Sequence, residues 1–154
     1  MIAAALLLIA APGARESLGV HGAWGAYRDG APRRCFAIAR AGMAGGRAGG
    51  FASVASWPDR RQRGVLYVRL TRASDPASPV TLSIGERRFM LAVRGADAWA
   101  ADGASERAIV AAMRSARSMS VEGVGAGGAP FADVYVLAGA ATAIDAAALA
   151  CAAR

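Results

Sequence analysis

The chain has 154 residues, of which 55% are apolar and 19% charged, and its formal net charge is +7. That length allows one domain of ordinary size, and the apolar fraction excludes a chain that stays disordered for want of a core. All 18 basic residues are Arg, with neither Lys nor Asn present. A GC-rich coding sequence explains that bias, together with the abundant Ala and Gly, without any appeal to nucleic acid.

Residues 2–11 (IAAALLLIAA) form an uninterrupted apolar run, followed by Pro12-Gly13-Ala14 and the first charge, Arg15. A helix needs about 20 apolar residues to cross a bilayer, so this run does not span one. It fits the apolar region of a secretory signal peptide with small residues behind it, cleaved between Ala10 and Ala14. Against that reading, no basic residue precedes the run and no clean A-x-A site appears; the other reading is a buried N-terminal helix or strand. We therefore expect residues 1–14 to be a signal peptide, leaving 15–154 as a single domain without a transmembrane segment.

Residues 20–27 read as a first strand containing Trp24, and 35–39 as a second. Residues 41–50 (AGMAGGRAGG) are too rich in Gly for regular structure and read as a hairpin loop. A third strand covers 51–57 and ends at Pro58-Asp59. The fourth, 65–70, alternates Leu66, Val68 and Leu70 with Tyr67 and Arg69, as a sheet wet on one face requires. Residues 80–84 and 89–93 repeat that alternation across Gly85-Glu86-Arg87, which predicts a hairpin. The period then changes: in 104–116, Ala108, Ile109, Ala112, Met113 and Ala116 share one helical face. Residues 118–124 and 131–137 return to strand. The last segment, 142–151, opens on Thr142-x-x-Asp145, a capping box, and places Ile144, Ala148 and Cys151 on one helical face. The expected architecture is mainly β: a single antiparallel sandwich or partly closed barrel of about eight short strands, with two short helices.

Few of these residues carry chemistry. Gly123-Val124-Gly125-Ala126-Gly127-Gly128 matches the dinucleotide fingerprint literally, but Ala129-Pro130 and a strand follow where a helix N-terminus must stand. It reads as a hairpin loop. Phosphate loops of the Walker type and Schiff-base catalysis require a Lys, which is absent. His21 is the sole imidazole, best read as a surface or strand-edge residue, and no G-x-S-x-G occurs. Asp97, Asp102, Asp133 and Asp145 lie on different elements, so no catalytic pair is assigned. The three Trp, at 24, 57 and 99, read as core anchors. No Arg cluster (33–34, 60–63 or 87–88) is interleaved with aromatics, so a base-stacking surface is not expected. Two separated Cys and one His are too few for a structural metal site, and no cofactor is expected.

Cys35 and Cys151 stand near the two ends of the mature chain. In an oxidising compartment such a pair becomes one disulfide; the alternative is two unrelated buried thiols.

Several segments together resemble the invasion-associated locus B family of exported alphaproteobacterial proteins, over most of the mature chain. They are Gly22-Ala23-Trp24, Cys35-Phe36-Ala37-Ile38, Val80-Thr81-Leu82-Ser83-Ile84-Gly85, Ala111-Ala112-Met113-Arg114, and the block from Asp133 through Gly139 to Ala143. The resemblance implies a periplasmic or surface-associated protein without known catalysis, whose relatives in pathogens are linked to host-cell entry. Further cysteines usual in the family are missing here, and Cys151 is additional. The expected function is therefore non-enzymatic: binding of an envelope protein or an acidic envelope polymer. The alternative is a small periplasmic hydrolase using carboxylates or His21 in a cleft, and an enclosed apolar ligand ranks last.

Overall fold

Alternation of apolar and polar residues makes one face of each strand a liability in water, and in this chain all those faces are gathered onto one surface. The computed structural model describes residues 13–42 and 49–152. Within them, ten antiparallel strands form one sheet. In chain order they are β1 (Glu16–His21), β2 (Trp24–Asp29), β3 (Arg34–Arg40), β4 (Phe51–Trp57), β5 (Gln62–Arg69), β6 (Thr81–Ile84), β7 (Arg87–Arg94), β8 (Asp97–Ala100), β9 (Ser118–Val124) and β10 (Pro130–Val136). Helix α1 (Gly103–Met113) lies between β8 and β9, and α2 (Ala140–Ala152) follows β10.

The sheet order is β1-β2-β3-β4-β5-β8-β7-β6-β9-β10. The first five strands form a meander. The chain then crosses to β6 and works back through β7 to β8, which pairs with β5 through Tyr67↔Trp99 and Arg69↔Asp97. The sheet curls until its last strand comes back to its first hairpin. Ala23 N–H donates to Ala138 O at 3.1 Å, Gly42 N–H to Val134 O at 2.7 Å and the Trp24 indole to Val136 O at 2.9 Å. No ladder joins β1 to β10, so the sheet is curled and not closed into a barrel.

The enclosed face carries the core. Leu66, Val68, Leu82, Val121, Tyr135 and Trp24 are each fully buried. Helix α2 covers the inner face of β1 to β4, and α1 covers β5, β6 and β8. Glu106 of α1 accepts a hydrogen bond from the Leu66 N–H at 2.9 Å, tying that helix to the sheet. The N-terminus of α1 is capped by Asp102, whose carboxylate accepts from Ser105 N–H at 2.7 Å.

The mainly β class and both helices agree with the sequence, while three details are corrected. The expected first strand is two strands, because Gly22-Ala23 turns the chain between His21 and Trp24. At Gly22 the backbone has a φ of +56°, and an added Cβ would sit 2.4 Å from Ala138 O, so the turn demands glycine. A short strand, β8, was not expected between the hairpin and the first helix; it has only four residues, too few for a visible period. The Thr142-x-x-Asp145 box does not start α2, which begins at Ala140 behind Gly139, leaving Thr142 inside the helix. Accordingly the buried face of α2 is Ala140, Ala143, Ile144 and Ala147, and Ala148 is exposed. The Gly-rich match at 123–128 is the β9–β10 hairpin, closed by Gly125 N–H to Ala129 O at 2.8 Å. The apolar run at 2–11 and most of the expected loop at 41–50 lie outside the described residues; Ala41 N–H donates to Gly50 O at the base of that loop.

Candidate functional site

Helix α2 contains a single charged residue, Asp145, in AATAIDAAALACA. Its small side chains give it two apolar flanks, one buried on the sheet and one left beside the β4–β5 hairpin. Between that second flank and the hairpin lies a groove of about 760 Å³. Its floor is Val54, Ile144 and Ala147, and its helical lip is Ala148 and Leu149, the latter 71% exposed. The opposite wall is the hairpin turn, where Pro58–Arg60 form one turn of 3-10 helix and Arg61 follows with a φ of +53°. The Arg61 N–H donates to Pro58 O, and Gly64 N–H donates to Ser56 Oγ at 3.1 Å, so the wall is held by its own hydrogen bonds.

Cys35 of β3 and Cys151 of α2 form a disulfide at the end of this groove, with Cα atoms 5.7 Å apart. The Cys151 Sγ lies 3.8 Å from Ser56 O. Arg33 donates to the carbonyls of Ala150 and Cys151 at 3.5 and 3.4 Å, placing a cation on the C-terminal end of α2, where the helix dipole favours one. The end of the helix is thus fastened twice.

The hairpin side of the groove is richer in cations than in acids, with Asp59 its one carboxylate beside Arg60, Arg61 and Arg63. Arg61 and Arg63 line it, Arg60 stands beside them, and none of the three has an ion-pair partner among the described residues. The single acid in the lining, Asp145, is taken by Arg114 of the neighbouring segment at 2.7 and 2.9 Å. The groove therefore offers an apolar floor and a cationic wall.

The four carboxylates weighed for catalysis are each engaged by different partners. Asp97 accepts from the Tyr67 hydroxyl at 2.6 Å and from Arg69, and those bonds hold its carboxyl below the usual carboxylate range. Asp102 is the cap of α1. Asp133, 3% exposed, accepts from the Thr71 N–H at 2.8 Å and from the Thr71 hydroxyl. His21 ends β1 with its Nε2 buried and unpartnered among the described residues. Asp145 alone of these lines the groove. No group of three or more His, Cys, Asp or Glu among the described residues could hold a metal.

The tryptophans divide. Trp24 is a core anchor, whereas Trp99 is 38% exposed on the outer face, with its ring 5.9 Å from Tyr67, which in turn stands 5.6 Å from Phe51. This row of rings beside Arg69 comes from three different strands, so linear spacing could not reveal it. The groove was hidden for the same reason: Arg60 to Arg63 were visible as a cluster, but their apolar counterpart lies more than eighty residues away on α2.

No family model matches the chain, and no curated protein matches it. Among solved structures, the chain is similar to invasion associated protein B from Bartonella henselae, with a TM-score of 0.63 over 84% of this chain and 94% of that one, at 18% identity. At that identity the likeness is one of fold.

Proposed function

We propose that the chain is an exported envelope protein of the invasion-associated locus B type, non-enzymatic, which works by binding an acidic partner, a protein or an envelope polymer. The observation that carries the reading is the pair Arg61 and Arg63, without ion-pair partners among the described residues, along a groove whose one lining acid is already paired. Support for the address comes from the apolar run at 2–11, the Cys35–Cys151 disulfide, which oxidising compartments favour, and the fold shared with a protein named for invasion. No helix among the described residues is long and apolar enough to cross a membrane. In this reading residues 1–14 are removed on export, and the domain from 15 onwards remains in the periplasm or outside the cell.

Titration with a soluble acidic polymer such as alginate tests the binding. Exposed charges are screened beyond about 10 Å at 0.1 M salt, so affinity should fall steeply between low and physiological ionic strength. It should also fall when Arg60, Arg61 and Arg63 are all replaced by Gln. Binding that ignores both salt and the triple substitution would remove this reading.

A further inference from the structure

We infer that the groove between α2 and the β4–β5 hairpin is a binding site for a single-chain anionic amphiphile, its acyl chain on the helix and its acidic head on Arg61 and Arg63. The inference rests on the acidic-partner reading and names the partner's chemistry. Three observations lead to it. The volume, about 760 Å³, lies within the range of about 300–1,000 Å³ typical of small-molecule sites, which combine a mostly apolar lining with a few placed polar groups. Next, the helical side of the lining is apolar but for one residue, with Ile144, Ala147, Ala148 and Leu149 around Asp145, while Arg61, Gln62 and Arg63 come from the hairpin. Leu149, a large apolar side chain left 71% exposed on the lip, gains cover only if something apolar lies against it. Finally, charge decides the head group. With Asp145 neutralised by Arg114, the polar end of the occupant faces two guanidiniums and no free acid of the lining, which suits a carboxylate or phosphate and repels a cation.

An acidic polymer would use the arginines and leave the apolar strip bare. A bilayer surface would need a convex or flat face, whereas this strip lies inside a concave groove walled on one side by the hairpin. The site is a groove partly open to solvent and not an enclosed cavity. The disulfide sits at one end, so the chain of the ligand runs alongside the Cys35–Cys151 bridge and not into the core.

The test is calorimetric titration of the intact, oxidised protein with octanoate, decanoate and dodecanoate below their micelle concentrations, beside alginate and dodecyltrimethylammonium. Each buried methylene contributes about 0.8 kcal/mol, so affinity should rise by roughly tenfold for every two carbons added. Dodecyltrimethylammonium should bind at least tenfold more weakly than dodecanoate. Replacing both Arg61 and Arg63 by Gln should weaken dodecanoate and alginate alike, whereas Ala148→Trp, which fills the groove from an exposed helix position, should abolish dodecanoate binding and spare alginate. Circular dichroism confirms that each variant is folded. Affinity independent of chain length, with alginate still bound, overturns this inference and leaves the acidic-polymer reading standing. Failure of both ligands overturns both readings. Flotation with phosphatidylglycerol vesicles completes the set: association with vesicles but not with monomeric dodecanoate assigns the surface to a membrane and overturns the groove site.

Discussion

At single residues the fold depends most on a contact between its two ends. Gly22 turns β1 into β2, Gly139 links β10 to α2, and they meet back to back. A Cβ on Gly139 would stand 1.8 Å from His21 O, and the residue has a φ of +87°. Gly139→Ala should therefore cost roughly 3 kcal/mol or more in urea denaturation, since both the backbone conformation and the contact forbid it. The His21 carbonyl leaves room at this junction for glycine alone. Deeper in, two neighbours on β10 behave oppositely. Asp133 satisfies the backbone and hydroxyl of Thr71, so Asp133→Ala should cost about 2–3 kcal/mol, leaving a donor without its charged acceptor. Tyr135 is fully buried, with its hydroxyl unpartnered among the described residues, and burial together with nearby Asp133 drives its ionisation far up. Tyr135→Phe should be neutral, or stabilising by up to about 1 kcal/mol in the same assay.

Among elements, the long alternating strands were legible and the short or small-residue ones were not. Strands β4 and β9 fall on the residues expected of them, and β5, β6 and β7 show the alternation that predicted them, with Leu66 and Val68, Leu82 and Ile84, and Leu91 turned inward. The first hairpin was hidden by Gly22-Ala23, a turn between two stretches of similar composition, and β8 by its four residues. For α2, the capping signal misled: Gly139 and the approach of the His21 carbonyl set the start of the helix, and a uniform Ala sequence does not announce which face goes inward. Two of the segments carrying the resemblance, 22–24 and the block from Asp133 to Ala143, prove to be the two sides of one junction, joined from Ala23 to Ala138 and from Trp24 to Val136. Their distance in sequence conceals a single packing unit. The C-terminal helix also depends on its covalent tie, across a sequence separation of 116 residues. Replacing both cysteines by Ala should lower stability by roughly 4 kcal/mol on the loop-entropy model. Thermal melts of the oxidised and reduced wild-type protein should show the same ordering, and equal melts would place the stability of α2 in its packing alone.

Over the whole molecule, acid response follows from where the carboxylates are bonded. Asp29 is held below its ordinary value of 3.8 by hydrogen bonds from Arg15 and then Arg34, opposed by partial burial. Asp75, Asp97 and Asp102 are lowered by their own hydrogen bonds, to the Ala77 N–H, the Tyr67 hydroxyl and the Ser105 N–H first. A folded pKa below the unfolded one contributes stability above the unfolded value, and that contribution is lost as pH falls through the folded one. The melting temperature should therefore stay level from about pH 8 to about pH 5 and drop below about pH 4. A melting temperature that rises on acidification would contradict these assignments. The same distribution of charge bears on the surface: among the described residues four acids hold five arginines in ion pairs, and Arg61 and Arg63 along the groove are not among them.

The proposed export and the disulfide are tested together by the intact mass of the protein recovered from the cell envelope, alkylated before and after reduction. The expected result is a chain lacking its first 10 to 14 residues, with no alkylated thiol until reductant is added and two afterwards. A full-length chain carrying two alkylated thiols without reduction would contradict it.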